Sequence, residues 1–168
     1  MSAPLATDLR TVGTAKLFSL GTIATNLSTT STKHYMYVRA DDIVPVNGCV
    51  KLDLAAAGSG LAADAPFLVT PTTNVNEIVE GIAEVAFTAG DYGFIIIRGH
   101  TTVVCAAGVA AGEQLVTTAN DGEVDTIIVV TTTNPTKAEL DAQHTANAGP
   151  VLIALTAVAS SKCEVYIR

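Results

Sequence analysis

The chain has 168 residues, of which 49% are hydrophobic and only 15% charged, and its formal net charge is −7. Its nine basic residues are scattered from Arg10 to Arg168, which argues against the clustered phosphate-neutralising face of a nucleic-acid binder. The longest apolar runs fall far short of the ~20 residues that span a bilayer, so neither nucleic acid nor membrane is an expected partner.

Residues 1–32 differ in character from the rest of the chain. Leu17, Phe18, Leu20 and Ile23 form a small apolar cluster ahead of a Ser/Thr tract, with no sustained period. This segment reads either as a loosely ordered terminus or as an arm that gains order by adding a strand to a partner. On the second reading, those four residues are the candidate contacts, and removing the arm costs partner binding more than stability. Residues 33–168 then form one β-rich domain, long enough for a real core.

From His34 the pattern has period two. His34, Met36 and Val38 face one side of a strand, and Tyr35, Tyr37 and Arg39 the other. Asp41-Asp42 turns the chain. Val50, Leu52 and Leu54 alternate with Cys49, Lys51 and Asp53 as a half-buried strand. Phe67-Leu68-Val69, bracketed by Pro66 and Pro71, reads as an edge strand because proline cannot donate to a ladder. Asn74 followed by Glu77 imitates a helix capping box, but a loop leading into a strand over residues 82–87 fits better.

Next comes a glycine-punctuated region. Gly90, Gly93, Gly99, Gly108 and Gly112 are expected at turns, with the strands Phe94-Ile95-Ile96-Ile97 and Thr101-Thr102-Val103-Val104-Cys105 between them. Residues 114–117 and 124–130 continue the β pattern around Asn120-Asp121-Gly122. One short helix is expected after Asn134-Pro135 and before Gly149-Pro150. Two closing strands flank Ala159-Ser160-Ser161-Lys162. The expected fold is mainly β: eight to ten short strands in a compact barrel or sandwich, with one helix and an N-terminal arm.

Little here could carry chemistry. No phosphate-cradling glycine motif is present. Cys49, Cys105 and Cys163 form no C-x-x-C, and the N-terminus MSAPLATDLR lacks a secretion signal. All three cysteines therefore read as reduced, buried and made in a cytosol. Asn26-Leu27-Ser28 matches a glycosylation acceptor, which means little without that signal.

His100 with Cys105 is the best thiol–imidazole pair on offer, yet the odd spacing sends them to opposite faces of a continuous strand. Asp41-Asp42 and Asp121-x-Glu123-x-Asp125 match turn and strand-surface chemistry better than a calcium loop. No catalytic residue, metal or cofactor is expected. The low charge, against roughly 25% in an average soluble domain, suggests apolar area hidden between subunits.

The run from Gly81-Ile82-Ala83-Glu84 through Ala89-Gly90-Asp91-Tyr92-Gly93 to Ala111-Gly112-Glu113-Gln114-Leu115 resembles the head decoration (cement) proteins of tailed bacteriophages. The closing Pro150-Val151-Leu152-Ile153-Ala154-Leu155 and Cys163-Glu164-Val165-Tyr166-Ile167 extend the resemblance to about half the chain. Members often carry tryptophan after the turn glycine, where this chain has Phe94. The resemblance implies a non-enzymatic virion protein on the capsid exterior, made in the host cytoplasm, commonly trimeric and bracing the major capsid protein shell. The alternative is another phage structural subunit, such as a head fibre base or a minor capsid or tail component. A small hydrolase or ligand-binding barrel would need polar groups that the apolar runs lack.

Overall fold

The computed structural model describes residues 8–27, 32–53, 67–75, 77–127, 136–137 and 152–167. Among these residues a 3-10 turn at Asp8–Arg10 precedes ten strands: β1 (Ile23–Leu27), β2 (Thr32–Ala40), β3 (Cys49–Leu52), β4 (Leu68–Pro71), β5 (Gly81–Ile82), β6 (Tyr92–Val104), β7 (Gln114–Thr117), β8 (Val124–Thr126), β9 (Leu152–Ala154) and β10 (Lys162–Ile167). The mainly β expectation holds. The helix expected after Asn134 lies outside the described residues apart from Thr136 and Lys137.

Five strands close a ring. β2 pairs with β4 in parallel, and antiparallel pairs β4–β3, β3–β5, β5–β6 and β6–β2 complete the circuit. Alternation along each strand decides what goes inside. Met36, Val38, Val50, Val69, Ile95 and Phe87 form one buried cluster. Tyr35, Tyr37, Cys49, Phe94 and Ile96, one residue out of phase, join a second cluster outside the ring. Both faces of β2 and β6 are thus apolar and buried, each large side chain contributing roughly 1.5–3 kcal/mol.

The second cluster is enclosed by a further sheet in the order β6-β10-β9-β7-β8. It curls back on itself, because Val124 of β8 bridges to Cys105 just past the end of β6. The two halves share β6. Residues up to Arg98 pair with β2, whereas Gly99 onward pairs with β10. The two strands expected on either side of Gly99 are therefore one strand of 13 residues.

Gly99 is the crossing point and not a turn. Its φ is +116°, and a Cβ there would lie 2.6 Å from the Thr32 carbonyl oxygen. Gly93 also sits inside β6, where a Cβ would meet Phe87 at 2.8 Å and Val12 at 2.9 Å. Gly90, Gly108 and Gly112 do stand in turns, with φ of +90°, +100° and +87°.

Two strand expectations need correction. β4 is not at an edge but lies between β2 and β3. Pro71 is tolerated because pairing with β2 stops at Val69, two residues earlier, so its missing N–H removes no rung. The strand expected over residues 82–87 shrinks to Gly81–Ile82. Ala83 instead exchanges backbone bonds with the Asn47-Gly48 turn, and Phe87 pairs singly with Val44.

Turns recur in one form. In Thr88–Asp91, Ala110–Glu113 and Asn120–Glu123 the last residue's N–H donates to the first residue's carbonyl. In each, the closing carboxylate also accepts from the first residue: from the Thr88 N–H at 2.8 Å, the Ala110 N–H at 2.6 Å and the Asn120 side-chain amide.

Glu77 plays the same part without a helix. It accepts from the Thr73 N–H at 2.6 Å and the Asn74 N–H at 3.1 Å, and pairs with Lys51. Burial pushes its carboxyl up, but the Lys51, Asn74 and backbone bonds outweigh that and hold it at about 2. A depressed carboxyl contributes stability that is complete above its ordinary value near 4.5 and lost as pH falls toward 2. Glu77→Gln is expected to cost roughly 1–2 kcal/mol at neutral pH. In urea melts, the gap from the parent protein should close between pH 5 and 2; a gap that stays constant across that window would show that the charge does not matter.

Candidate functional site

A polar cleft of about 400 Å³ opens where β6 passes from the ring into the second sheet. Arg10, Lys33, Asn47, Glu84, His100 and Glu164 are among its lining residues. Glu84 is the hub: its carboxylate accepts from Lys33 Nζ at 2.7 Å and the Tyr35 hydroxyl at 3.3 Å, and Arg10 Nε lies 3.7 Å away. Burial first, and then the adjacent Glu84 charge, push the Tyr35 phenol up to about 12. A carboxylate held by two cations and a phenol locked in its protonated form fix local geometry. What the cluster does is tie the N-terminal segment and β2 to the loop after β5.

The cysteine expectation is corrected here. Cys105 and Cys163 form a disulfide, with Cα atoms 6.2 Å apart and a sequence separation of 58. Spacing could not reveal it, because the pairing depends on β10 returning beside β6, where Cys163 stands opposite Val103. Cys49 remains a free, fully buried thiol, and burial pushes it up. The Cys105–His100 nucleophile therefore has no free sulfur, and His100 Nε2 instead lies 3.3 Å from Glu164.

The remaining candidates are used locally. His34 Nδ1 meets the Thr25 hydroxyl at 3.2 Å across the β1–β2 pair. His144 lies outside the described residues. Asp41 and Asp42 sit in a bend, where burial is the main cause raising the Asp41 carboxyl. Glu123 closes a turn, and Asp125 accepts the next N–H, that of Thr126. Among the described residues no group of three or more His, Cys, Asp or Glu is placed to hold a metal.

The four apolar residues of the expected arm divide by face. The described part of the segment, residues 8–27, runs along the chain's own sheet: Gly13 pairs with Tyr92, and β1 pairs with β2. Phe18 packs against Tyr37 and Phe94 with ring centroids 5.3 and 5.5 Å apart, and Leu20 packs on the same cluster. Leu17 and Ile23 point outward at 58% and 52% exposure, joined by Leu27 at 80%. A further set of exposed apolar residues, Val75 and Ile78, lies beside the Glu77 turn. Sequence reasoning missed Leu27, which it treated as part of a glycosylation match. Its place at the end of an alternating run, opposite Thr32, was the available signal.

In fold the chain is similar to a phage head fibre base. One solved structure it resembles is the head fiber gp8.5 N base in bacteriophage phi29, with a TM-score of 0.51, 15% identity, and coverage of 80% of this chain and 92% of that one. No protein-family model matches the chain, and no curated protein does. At such low identity the likeness concerns architecture alone.

Proposed function

We propose that this chain is a non-enzymatic structural subunit of a bacteriophage head, serving as the base of a head fibre or a similar projecting element. The observation that carries the reading is the fold likeness to the phi29 head fiber base over 80% of the chain. The local use of the reactive groups among the described residues supports it: one sulfur pair is oxidised, the third thiol is buried, and Glu84 is paired with Lys33 and Arg10. Exposed Leu17, Ile23, Leu27 and Ile78 on a chain with so few charges fit a subunit that buries more surface in an assembly. A homotrimer on the major capsid protein shell is the form we favour. Each weak contact would then gain from the others through effective concentration, roughly 10²–10⁴ in avidity.

A second reading, a decoration protein spread over the capsid exterior, is favoured by the sequence resemblance from Gly81 to Leu115. Copy number and location separate the two. Quantitative mass spectrometry of purified virions, with gold-labelled antibody imaging, should find few copies at discrete points for a fibre base. Hundreds over the whole head would favour decoration. Absence from the particle would end both readings, and a monomer at micromolar concentration in sedimentation would remove the oligomer.

A further inference from the structure

We propose that the Cys105–Cys163 bond is a redox lock that fastens the second sheet to the barrel and, once closed, shields itself from reductant. Three observations carry it. Both cysteines are buried, at 1% and 2% exposure, inside the core cluster between the two halves. The bond joins the end of β6 to the start of β10. β10 is also the strand through which β9, β7 and β8 are hydrogen-bonded, in order, to the shared strand β6, with a second link where Val124 of β8 bridges back to Cys105.

The chemistry is thiol–disulfide exchange. The two thiols together lose two protons and two electrons, the sulfur–sulfur bond forms, and a small-molecule disulfide such as oxidised glutathione is cleaved to two thiols. Neither sulfur can be attacked in the closed fold, because an in-line thiolate needs access that buried strands deny. Oxidation and reduction therefore both pass through a state in which β10 has left β6. The reduced chain opens to that state as an ordinary local fluctuation. The oxidised chain carries a 58-residue covalent loop across the same seam, which removes most of the freedom gained on opening. The oxidised form consequently opens far less often, and closure is effectively one-way.

Cys49 lies in the same core cluster, so Cys49→Ala removes the competing thiol and is the background for the test. Oxidised protein is held in millimolar dithiothreitol, and thiols are trapped by alkylation and counted by mass. Reduction is expected to be at least about a hundredfold slower in native buffer than in denaturant. Hydrogen exchange on the Cys105→Ser, Cys163→Ser double variant is expected to speed at least about tenfold in β9 and β10. Amides of β3 and β4 should keep their protection. Equal reduction rates in the two buffers, exchange that rises uniformly in both halves, or three free thiols in non-reduced Cys49-containing protein would each overturn the proposal.

Discussion

Gly99→Val is expected to remove the stable fold. Two costs coincide at that position. The backbone is at φ +116°, a region that side-chain-bearing residues enter at a cost of about 1–3 kcal/mol. The new Cβ would also sit 2.6 Å from the Thr32 carbonyl and 3.1 Å from Lys33 Cα, so β2 would have to shift against β6. Since β2–β6 is a wall of the closed ring, that shift is felt in both clusters. A loss above about 3 kcal/mol is expected, against a typical total of only 5–15. The clash belongs to Cβ itself, so alanine should suffer most of it. Gly108→Ala supplies the control: its φ is +100° but nothing lies within 4 Å of the added carbon, so only about 1 kcal/mol should be lost. Urea unfolding of the three variants measures this, and a Gly99→Ala protein within about 0.5 kcal/mol of the parent would refute the account.

Deleting residues 1–27 is expected to be nearly as damaging, which reverses what the sequence pattern of an arm implies. The segment contributes Leu9, Phe18 and Ala24 to the cluster outside the ring. It also closes the exposed side of β2, with Gly21 donating to the Tyr37 carbonyl at 2.8 Å and Tyr37 donating to Thr22 at 2.9 Å. The Tyr37 hydroxyl accepts the Leu17 N–H at 3.0 Å while its ring is packed by Phe18, Tyr92 and Phe94.

Removing two large side chains and those bonds amounts to about 4 kcal/mol or more. At 2–4 °C per kcal/mol for a chain of this size, the melting temperature should fall by about 10 °C or further. Leu17→Ser and Ile23→Ser, which change only outward-facing side chains, should move it by less than about 2 °C while weakening self-association. A truncated protein that melts with the parent would restore the picture of a free arm.

How much could be seen beforehand depends on how locally each feature is encoded. β2 and β10 were legible because their alternation maps directly onto two faces. Asn120-Asp121-Gly122 and Ala89-Gly90 were legible because a turn depends on the few residues it contains. β6 was not: with Phe94 and Ile96 buried on one face and Ile95 on the other, alternation vanishes, and Gly99 looks like a break where the strand continues. β4 was placed at an edge because a proline shows only that a donor is missing, not that the neighbouring strand has already ended. The disulfide and the division of Leu17, Phe18, Leu20 and Ile23 into outward and inward residues depend on long-range closure, which no local window contains.

One continuous backbone, β6, is a wall of both halves of the molecule. Tension or shear applied to the second sheet would reach the ring through β6, which both halves share, with the Cys105–Cys163 bond tying β10 to the end of that strand. The joint between the halves therefore rests on a strand that belongs to both cores and on one covalent cross-link at its end.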